Sequence, residues 1–409
     1  MHGPKRIDRR NYRSLIIAGI GTIGRSLAIL GPAQFALFEN VIAVDRDGAS
    51  LLPLSNTHIH CQCGDVSDWS FLEDFMAQVP GPALFVNLCS GTDNVKIRHH
   101  LASFDTAYLD SCASATSDPV ECRFSRMMPY TYTKMNTRLP HWLCWGINPG
   151  LVEIIARRIL AGLPDIPRSY DVTVYEFDRL ANGVDSDMAA VGWCPEALVE
   201  EIMLSPTLEI IDGKPCENKE PGTRDSVVNW NGRPVAAKIV GHEDIWNLTG
   251  IPAVKNGRFY YSLHRSVMEI LSMADAKKAR SMLYVPDGAA AITGLEQVAV
   301  QVDHNNLAQP KTLVWTEDHR EISRRFGINA VQYQTAKSLL LAIMLLQRTD
   351  YGLEPSMHNA SSLTISSHDW AILDHFMAEL DINWRDGSGL NLYDPGHTWV
   401  AASSASKSY

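Results

Sequence analysis

The stretch SLIIAGIGTIG at residues 14–24 limits what this chain can fold into more than any other. A short apolar run from Ser14 to Ala18 leads into Gly19-Ile20-Gly21-Thr22-Ile23-Gly24, and a helical pattern opens at about Ile23. A buried strand, three glycines in this spacing and a helix make a phosphate-cradling turn. The first glycine permits the tight turn, the second lets the backbone approach a pyrophosphate, and the third lets helix and strand pack closely. The helix start adds unpaired N–H groups and a positive dipole end. Asn40–Asp45 (NVIAVD) reads as a second strand, and its terminal Asp45 is placed to accept from adenosine ribose hydroxyls. That pattern favours NAD. Arg46 beside it would suit a 2′-phosphate and leaves NADP open.

Strand and helix signals then alternate. His58–Cys63 reads as a third strand, Trp69–Gln78 as a helix, Ala83–Leu88 as a fourth strand and Thr106–Asp110 as a fifth. This is the pattern of an α/β, doubly wound parallel sheet, the Rossmann arrangement. Asp65 and Val66 follow the third strand, where adenine contacts sit. Asn87–Asp93, with Cys89 and Ser90, follows the fourth and faces the nicotinamide side.

After Pro149-Gly150 the texture changes. Tyr170–Phe177 alternates like an antiparallel strand, and Leu208–Ile211, Val235–Val240, Arg258–His264, Ser281–Val285 and Gln297–Val302 read as further strands. The expected organisation is a cofactor-binding domain over residues 1–150 and an α+β substrate domain over 151–324. An apolar helix from Ala330 to Leu346, within a segment 325–360, returns to the first domain. Residues 361–409 form an extension, and its tail after Trp399 is expected to lack order.

The net charge of −10 argues against a nucleic-acid partner and suits cationic small molecules. No apolar stretch is long enough for a membrane span, so a cytoplasmic protein is expected. The eight cysteines are scattered without a CxxC pair, as in a set of reduced thiols. His58, His60 and Gln62 would fall on one strand face and Cys61 and Cys63 on the other. That division defeats tetrahedral coordination, and no metal is expected.

Several later segments carry a family pattern: Cys144–Gly150 (CWGINPG), Trp193–Glu201 (WCPEALVEE), Gly241-His242-Glu243-Asp244, Arg258–His264 (RFYYSLH), Gly294–Val298 (GLEQV) and Asn329-Ala330. In this order they resemble the bacterial homospermidine synthases, within the saccharopine dehydrogenase-like superfamily, over roughly residues 14–350. The resemblance implies an aminobutyl transferase. NAD held as a recycled prosthetic group takes a hydride from putrescine, ammonia leaves, a second diamine attacks, and the hydride returns. It also implies a homodimer. The chain is shorter than usual members between Trp193 and His242, which leaves room for a different amine.

Read against that chemistry, Trp193 would face an ammonium through a cation–π contact. Glu201, two helical turns on, would anchor an ammonium from the same face. His242 and Asp244 match a histidine–x–acid pair that handles substrate protons. The intervening Glu243 leaves open which acid points inward, and a strand would favour Asp244. Glu296 falls near a later acidic anchor, with Asp287 as its competitor. Asn148 resembles an asparagine beside the nicotinamide, and Asp110 an acid near the crevice, although a helix cap is an equal reading for Asp110. Two other functions fit a Rossmann loop. One is an NAD(P)H-dependent imine reductase of the saccharopine or carboxyspermidine dehydrogenase kind, which needs pocket arginines. The other is a non-catalytic NAD sensor.

Overall fold

The computed structural model describes residues 12–55, 57–114, 123–182, 188–221, 224–286, 291–348, 354–390 and 392. Asp287 and the tail after Trp399 lie outside them.

The first sheet contains β1 (Ser14–Ala18), β2 (Asn40–Asp45), β3 (His60–Cys63), β4 (Ala83–Asn87), β5 (Thr106–Asp110) and β6 (His141–Trp142). Its order is β3-β2-β1-β4-β5-β6, with the short strand Met357–His358 added beyond β6. All pairings are parallel. Every residue of β1, β4 and β5 is buried, as befits continuous apolar strands covered by helices on both faces. The order in which strands are added reverses between β1 and β4, and such a point leaves a crevice at the carboxyl ends of the strands. β3 is the edge strand and exposes all four of its residues. His58 and Ile59 stay outside it, so the third strand is shorter than the sequence suggests.

The second sheet has nine strands. Its path runs Lys214–Pro221, Pro206–Ile211, Val254–Ser262, Tyr170–Asp178, Leu295–Asp303, Lys311–Asp318 and Arg385–Asp386, and the hairpin Arg224–Trp230/Arg233–Val240 adds to Val254–Ser262. Tyr170–Asp178 is central. It pairs antiparallel with Leu295–Asp303 but parallel with Val254–Ser262. The expectation of a purely antiparallel strand is thus corrected, because both faces of this strand are largely covered and alternation reports exposure, not direction. The supposed strand Ser281–Val285 is mostly the end of the helix Ala276–Met282, with only Leu283–Tyr284 extended. Lys214–Pro221, Arg224–Trp230 and Lys311–Asp318 escape sequence reading because charged residues interrupt their alternation.

The helix Ala330–Arg348 packs on the helix Thr22–Leu30 and on the strands Leu295–Asp303 and Lys311–Asp318. It is buried almost all round, which is the fate of a helix apolar on every face. Gln347 fastens it to the start of the fold. Its Nε2 donates to Tyr12 O at 3.0 Å, and its Oε1 accepts from Tyr12 N at 2.9 Å. The C-terminal helical segment therefore returns to the Rossmann unit. No helix among the described residues is long and apolar enough to cross a membrane, and the seven described cysteines are free thiols.

Candidate active site

Two groups of residues meet the crevice. The first is the glycine loop. Gly19 has φ +90°, and a Cβ there would lie 2.7 Å from Cys89 N, so only glycine fits between β1 and the loop after β4. A Cβ on Gly24 would stand 2.1 Å from Gly19 O. Gly21 differs, since nothing lies within 4 Å of its Cβ position. The space over Gly21 is open, as a loop that admits a phosphate needs. The helix Thr22–Leu30 starts there with no side-chain cap and no acid in its first turn, so Thr22, Ile23 and Gly24 open an uncapped positive end.

The cleft over this loop is lined by Gly19, Gly21, Asp45, Arg46, Asp65, Val66, Cys89 and Ser90, with Val44, Asp47, Gly64, Leu88 and Thr92 completing it. Asp45 Oδ2 accepts from Ile20 N at 2.6 Å and its Oδ1 from Asp47 N at 2.8 Å. Its carboxylate is thus oriented by the loop it serves, with lone pairs left for hydroxyl groups. Burial is the main reason the Cys89 thiol is pushed up to about 12, and Asp45 and Asp65 add to it. Cys89 is therefore a neutral, unreactive wall of the cleft. The open glycine, the uncapped helix and the acid at the end of β2 fit a dinucleotide.

The second group surrounds His242. The strand Arg233–Val240 ends just before it, and His242 is the N-cap of the helix Glu243–Leu248. The strand reading of this segment is corrected: Glu243 and Asp244 occupy a helical first turn, and both turn toward the ring. His242 Nδ1 lies 3.2 Å from Asp244 Oδ1 and 3.8 Å from Glu243 Oε2, while Nε2 is 4.0 Å from Glu201 Oε1. The ring stacks on Phe259 with centroids 4.7 Å apart. Burial pulls the imidazole down, but Asp244, Glu201 and Glu243 together outweigh it and hold His242 well above the usual histidine range. These acids favour the imidazolium over the neutral, proton-accepting ring. Glu243 also reaches the Rossmann unit, where its Oε1 accepts from Ala113 N at 3.2 Å beyond the end of β5.

Trp193 and Glu201 are not two turns apart on one helix. Trp193 sits in a bend before the helix Pro195–Val199, and Glu201 in the π-helical turn Glu200–Leu204 that follows. Glycine and proline on either side of Trp193-Cys194 keep Trp193 out of the helix. Trp193 Nε1 donates to Tyr261 OH at 3.1 Å. Burial raises Glu201 to about 8, offset in part by His242 and reinforced by Glu176, Glu243 and Asp244.

Sequence reading missed Glu176, Asp178, Tyr261 and His319. Glu176 and Asp178 share one face of Tyr170–Asp178, and Glu296 is the register partner of Asp178 on the next strand. Asn148 Nδ2 donates to Glu176 Oε2. Burial lifts Glu176 to about 7, the Asn148 bond and His242 oppose this, and Asp178 adds to it. Burial and the nearby Glu176 and Asp178 hold Glu296 well above the usual range. The available signal was the pair of acids at positions i and i+2 in YDVTVYEFD, two charges on a face destined for burial.

Asp110 belongs to the Rossmann sheet and not to the second sheet's acid face, although Glu243 acts on its charge. It ends β5, fully buried, where its Oδ1 accepts from Cys144 N at 2.7 Å and its backbone oxygen from Trp145 N at 2.7 Å. Burial raises it to about 7 despite Arg98 nearby. Its bonds fix the turn that carries Asn148, and it caps no helix.

Asp178, Glu296 and His319 place ligand-type atoms within 4.8 Å of one another. They do not fit a transition metal. His319 Nδ1 accepts from Ala330 N at 3.1 Å, so Nε2 carries the proton and meets Asp178 Oδ1 at 3.1 Å. A metal would need the Nε2 lone pair, and moving the proton to Nδ1 would set it against the Ala330 N–H.

Fold and crevice together define a Rossmann-type, dehydrogenase-like architecture with an α+β second sheet. Among solved structures the chain is similar to the homospermidine synthase of Legionella pneumophila in complex with NAD, with a TM-score of 0.72 at 12% identity over 90% of this chain and 89% of that one. The diaminopimelate (DAP) dehydrogenase of C. glutamicum in complex with DAP gives a TM-score of 0.43 at 13% identity, covering 88% and 98% of the two chains. The WlbA dehydrogenase of Chromobacterium violaceum with NADH and UDP-GlcNAcA gives 0.38 at 11%, covering 94% and 98%. No family model and no curated protein sequence matches the chain. At these identities the likeness is one of fold.

Proposed function

We propose that this chain is an NAD-dependent enzyme acting on diamines, of the homospermidine synthase kind, in which the same cofactor takes up and returns a hydride. The observation that carries the reading is the ring of buried Asp244 and half-buried Glu201 and Glu243 around His242, with Glu176, Asp178 and Glu296 on the adjoining sheet face. So many acids with so few buried cations form a site that gains most from cationic ligands. NAD in the glycine-loop cleft would supply hydride acceptance from an amine-bearing carbon and hydride return to the product carbon.

The residues do the rest. A diamine arrives as a dication. Its ammonium groups pair with the His242-facing acids at one end and with Glu176 at the other, beside the face of Trp193, and their approach draws the proton off Glu201 so that it too pairs as a carboxylate. Entry of an ammonium competes with His242 for Glu201 and Glu243, and this lowers the imidazolium toward neutrality. The ring then becomes able to take an ammonium proton, and a reactive amine lone pair requires that loss. Glu176, near neutrality and held by Asn148, is a second proton acceptor. The protons return to departing ammonia and to the secondary amine, so the exchange of two diamines for a triamine and ammonium is proton-neutral. Burial of the acids excludes water that would hydrolyse the imine.

The test is incubation with putrescine and NAD+ far below stoichiometry, followed by mass analysis of polyamines. Many triamine molecules per NAD+, with ammonia released, is the expected result. NADH accumulating one-for-one with substrate loss would instead indicate a plain dehydrogenase, and binding without turnover a sensor.

A further inference from the structure

Glu296 is 1% exposed, and its Oε2 has no hydrogen-bond partner among the described residues. A buried carboxylate oxygen without a donor is costly. Its register partner Asp178 is served differently, since Asp178 Oδ1 accepts from Leu180 N at 2.8 Å and faces His319 Nε2 at 3.1 Å. The His319 tautomer is dictated from its other side. Ala330 N, the first residue of the long helix, donates to Nδ1, and the proton must then sit on Nε2. His319 is fully buried behind the acid face.

We infer that His319 is a positioning residue which fixes the location of a proton: by donating to Asp178 it keeps Asp178 an acceptor and assigns the proton of the Asp178–Glu296 pair to Glu296. Glu296 is then a neutral acid whose O–H serves the site, and Asp178 is the charged member. The groups facing Glu296 agree with this order. Glu176 and Asp178 on the neighbouring strand disfavour a further negative charge, and Arg179 opposes them. The Arg179 guanidinium is already taken up by Leu263 O and by Ser262 Oγ at 2.8 Å. Tyr261 is itself held protonated by burial and by these acids. The helix that orients His319 through Ala330 also packs on the helix of the glycine loop.

The bearing on catalysis rests on the amine-transfer reading, but the proton can be located without substrate or cofactor. Infrared spectra of the full chain labelled with 13C-carboxyl glutamate separate glutamic from aspartic acid bands. At pH 7 Glu153 and Glu201 also contribute glutamic acid C=O absorption, and Glu296→Gln should remove one distinct component of it. His319→Gln, which keeps a donor toward Asp178, should preserve that component. His319→Leu should weaken it and bring up an aspartic acid band. An unchanged band in His319→Leu, or no loss in Glu296→Gln, overturns the assignment. Should His319→Leu fail to fold, Asp178→Asn decides: the Glu296 band must then vanish at lower pH than in the wild type, and an unaltered titration overturns it. Loss of polyamine formation with the infrared pattern intact would instead count against the amine-transfer reading alone.

Discussion

His242 and Asp244 stand 3.2 Å apart, Nδ1 to Oδ1, as N-cap and second residue of one helix. Neither Asp244 oxygen has a hydrogen-bond partner of good geometry among the described residues, and Asp244 is fully buried. The pair is an ion pair held by its surroundings. Removing one member leaves the other charge buried alone, which typically costs about 3–5 kcal/mol. Asp244→Asn should therefore lower the His242 titration, followed by histidine NMR, and destabilise the chain by an amount of that order. An unaltered His242 titration would contradict the account.

Gly21→Ala separates ligand space from folding. Gly21 has φ −75°, which alanine tolerates, and its Cβ position is open. Thermal unfolding should shift by less than the equivalent of about 0.5 kcal/mol. NADH affinity, read by fluorescence titration, should fall at least about tenfold because the methyl occupies the pyrophosphate approach. Gly24→Ala should instead destabilise the fold by about 1–3 kcal/mol, since its methyl would meet Gly19 O.

The buried acids make stability fall as pH rises. Glu201 is raised from 4.5 to about 8, so the folded chain holds a proton that the unfolded chain has released. Between these values the unfolded state binds fewer protons, and stability declines with pH until about 8. Glu153, raised mainly by burial to about 8, acts in the same sense. Chemical denaturation across pH 5–9 should show this decline. Glu201→Gln should flatten it, gaining on the order of 2 kcal/mol at pH 8 over the wild type. The same variant should bind diamines at least about tenfold more weakly. Equal slopes in both proteins would remove Glu201 from the account.

On the amine-transfer reading, which sets the Trp193 ring against the substrate, Trp193→Ala should reduce turnover about 100-fold or more while NADH affinity stays within about twofold. Trp193→Phe keeps an aromatic face but loses the donor to Tyr261 OH at 3.1 Å. It should retain most of that activity. Equal losses in the two variants would assign Trp193 a packing role.

Asp45→Asn addresses cofactor choice. The substitution removes the charge and one of the two acceptors that hold Ile20 N and Asp47 N. The wild type should favour NADH over NADPH in competitive titration, and the substitution should narrow that ratio about tenfold. A preference that does not move would place discrimination elsewhere, with Arg46 as the next residue to change.

The sequence by itself determined the Rossmann sheet and its loop. Apolar strands buried on both faces and a spaced glycine turn leave a signature within a few residues, so SLIIAGIGTIG and NVIAVD announce them. It also supplied His242, Asp244, Glu201 and Trp193 as segments, but with the wrong local shape. Whether a histidine–acid segment continues a strand or caps a helix depends on the turn at Gly241, where a Cβ would lie 2.3 Å from Pro206 O on a different strand. Only the tertiary structure decided that Glu176, Asp178 and Glu296 share one face and that His319 stands behind them. Glu176 and Asp178 lie more than a hundred positions before Glu296 and His319, and the two pairs meet through sheet register and the first turn of a returning helix. Proton affinities follow from that meeting, since burial and neighbouring charge are properties of the assembled site and belong to no single residue.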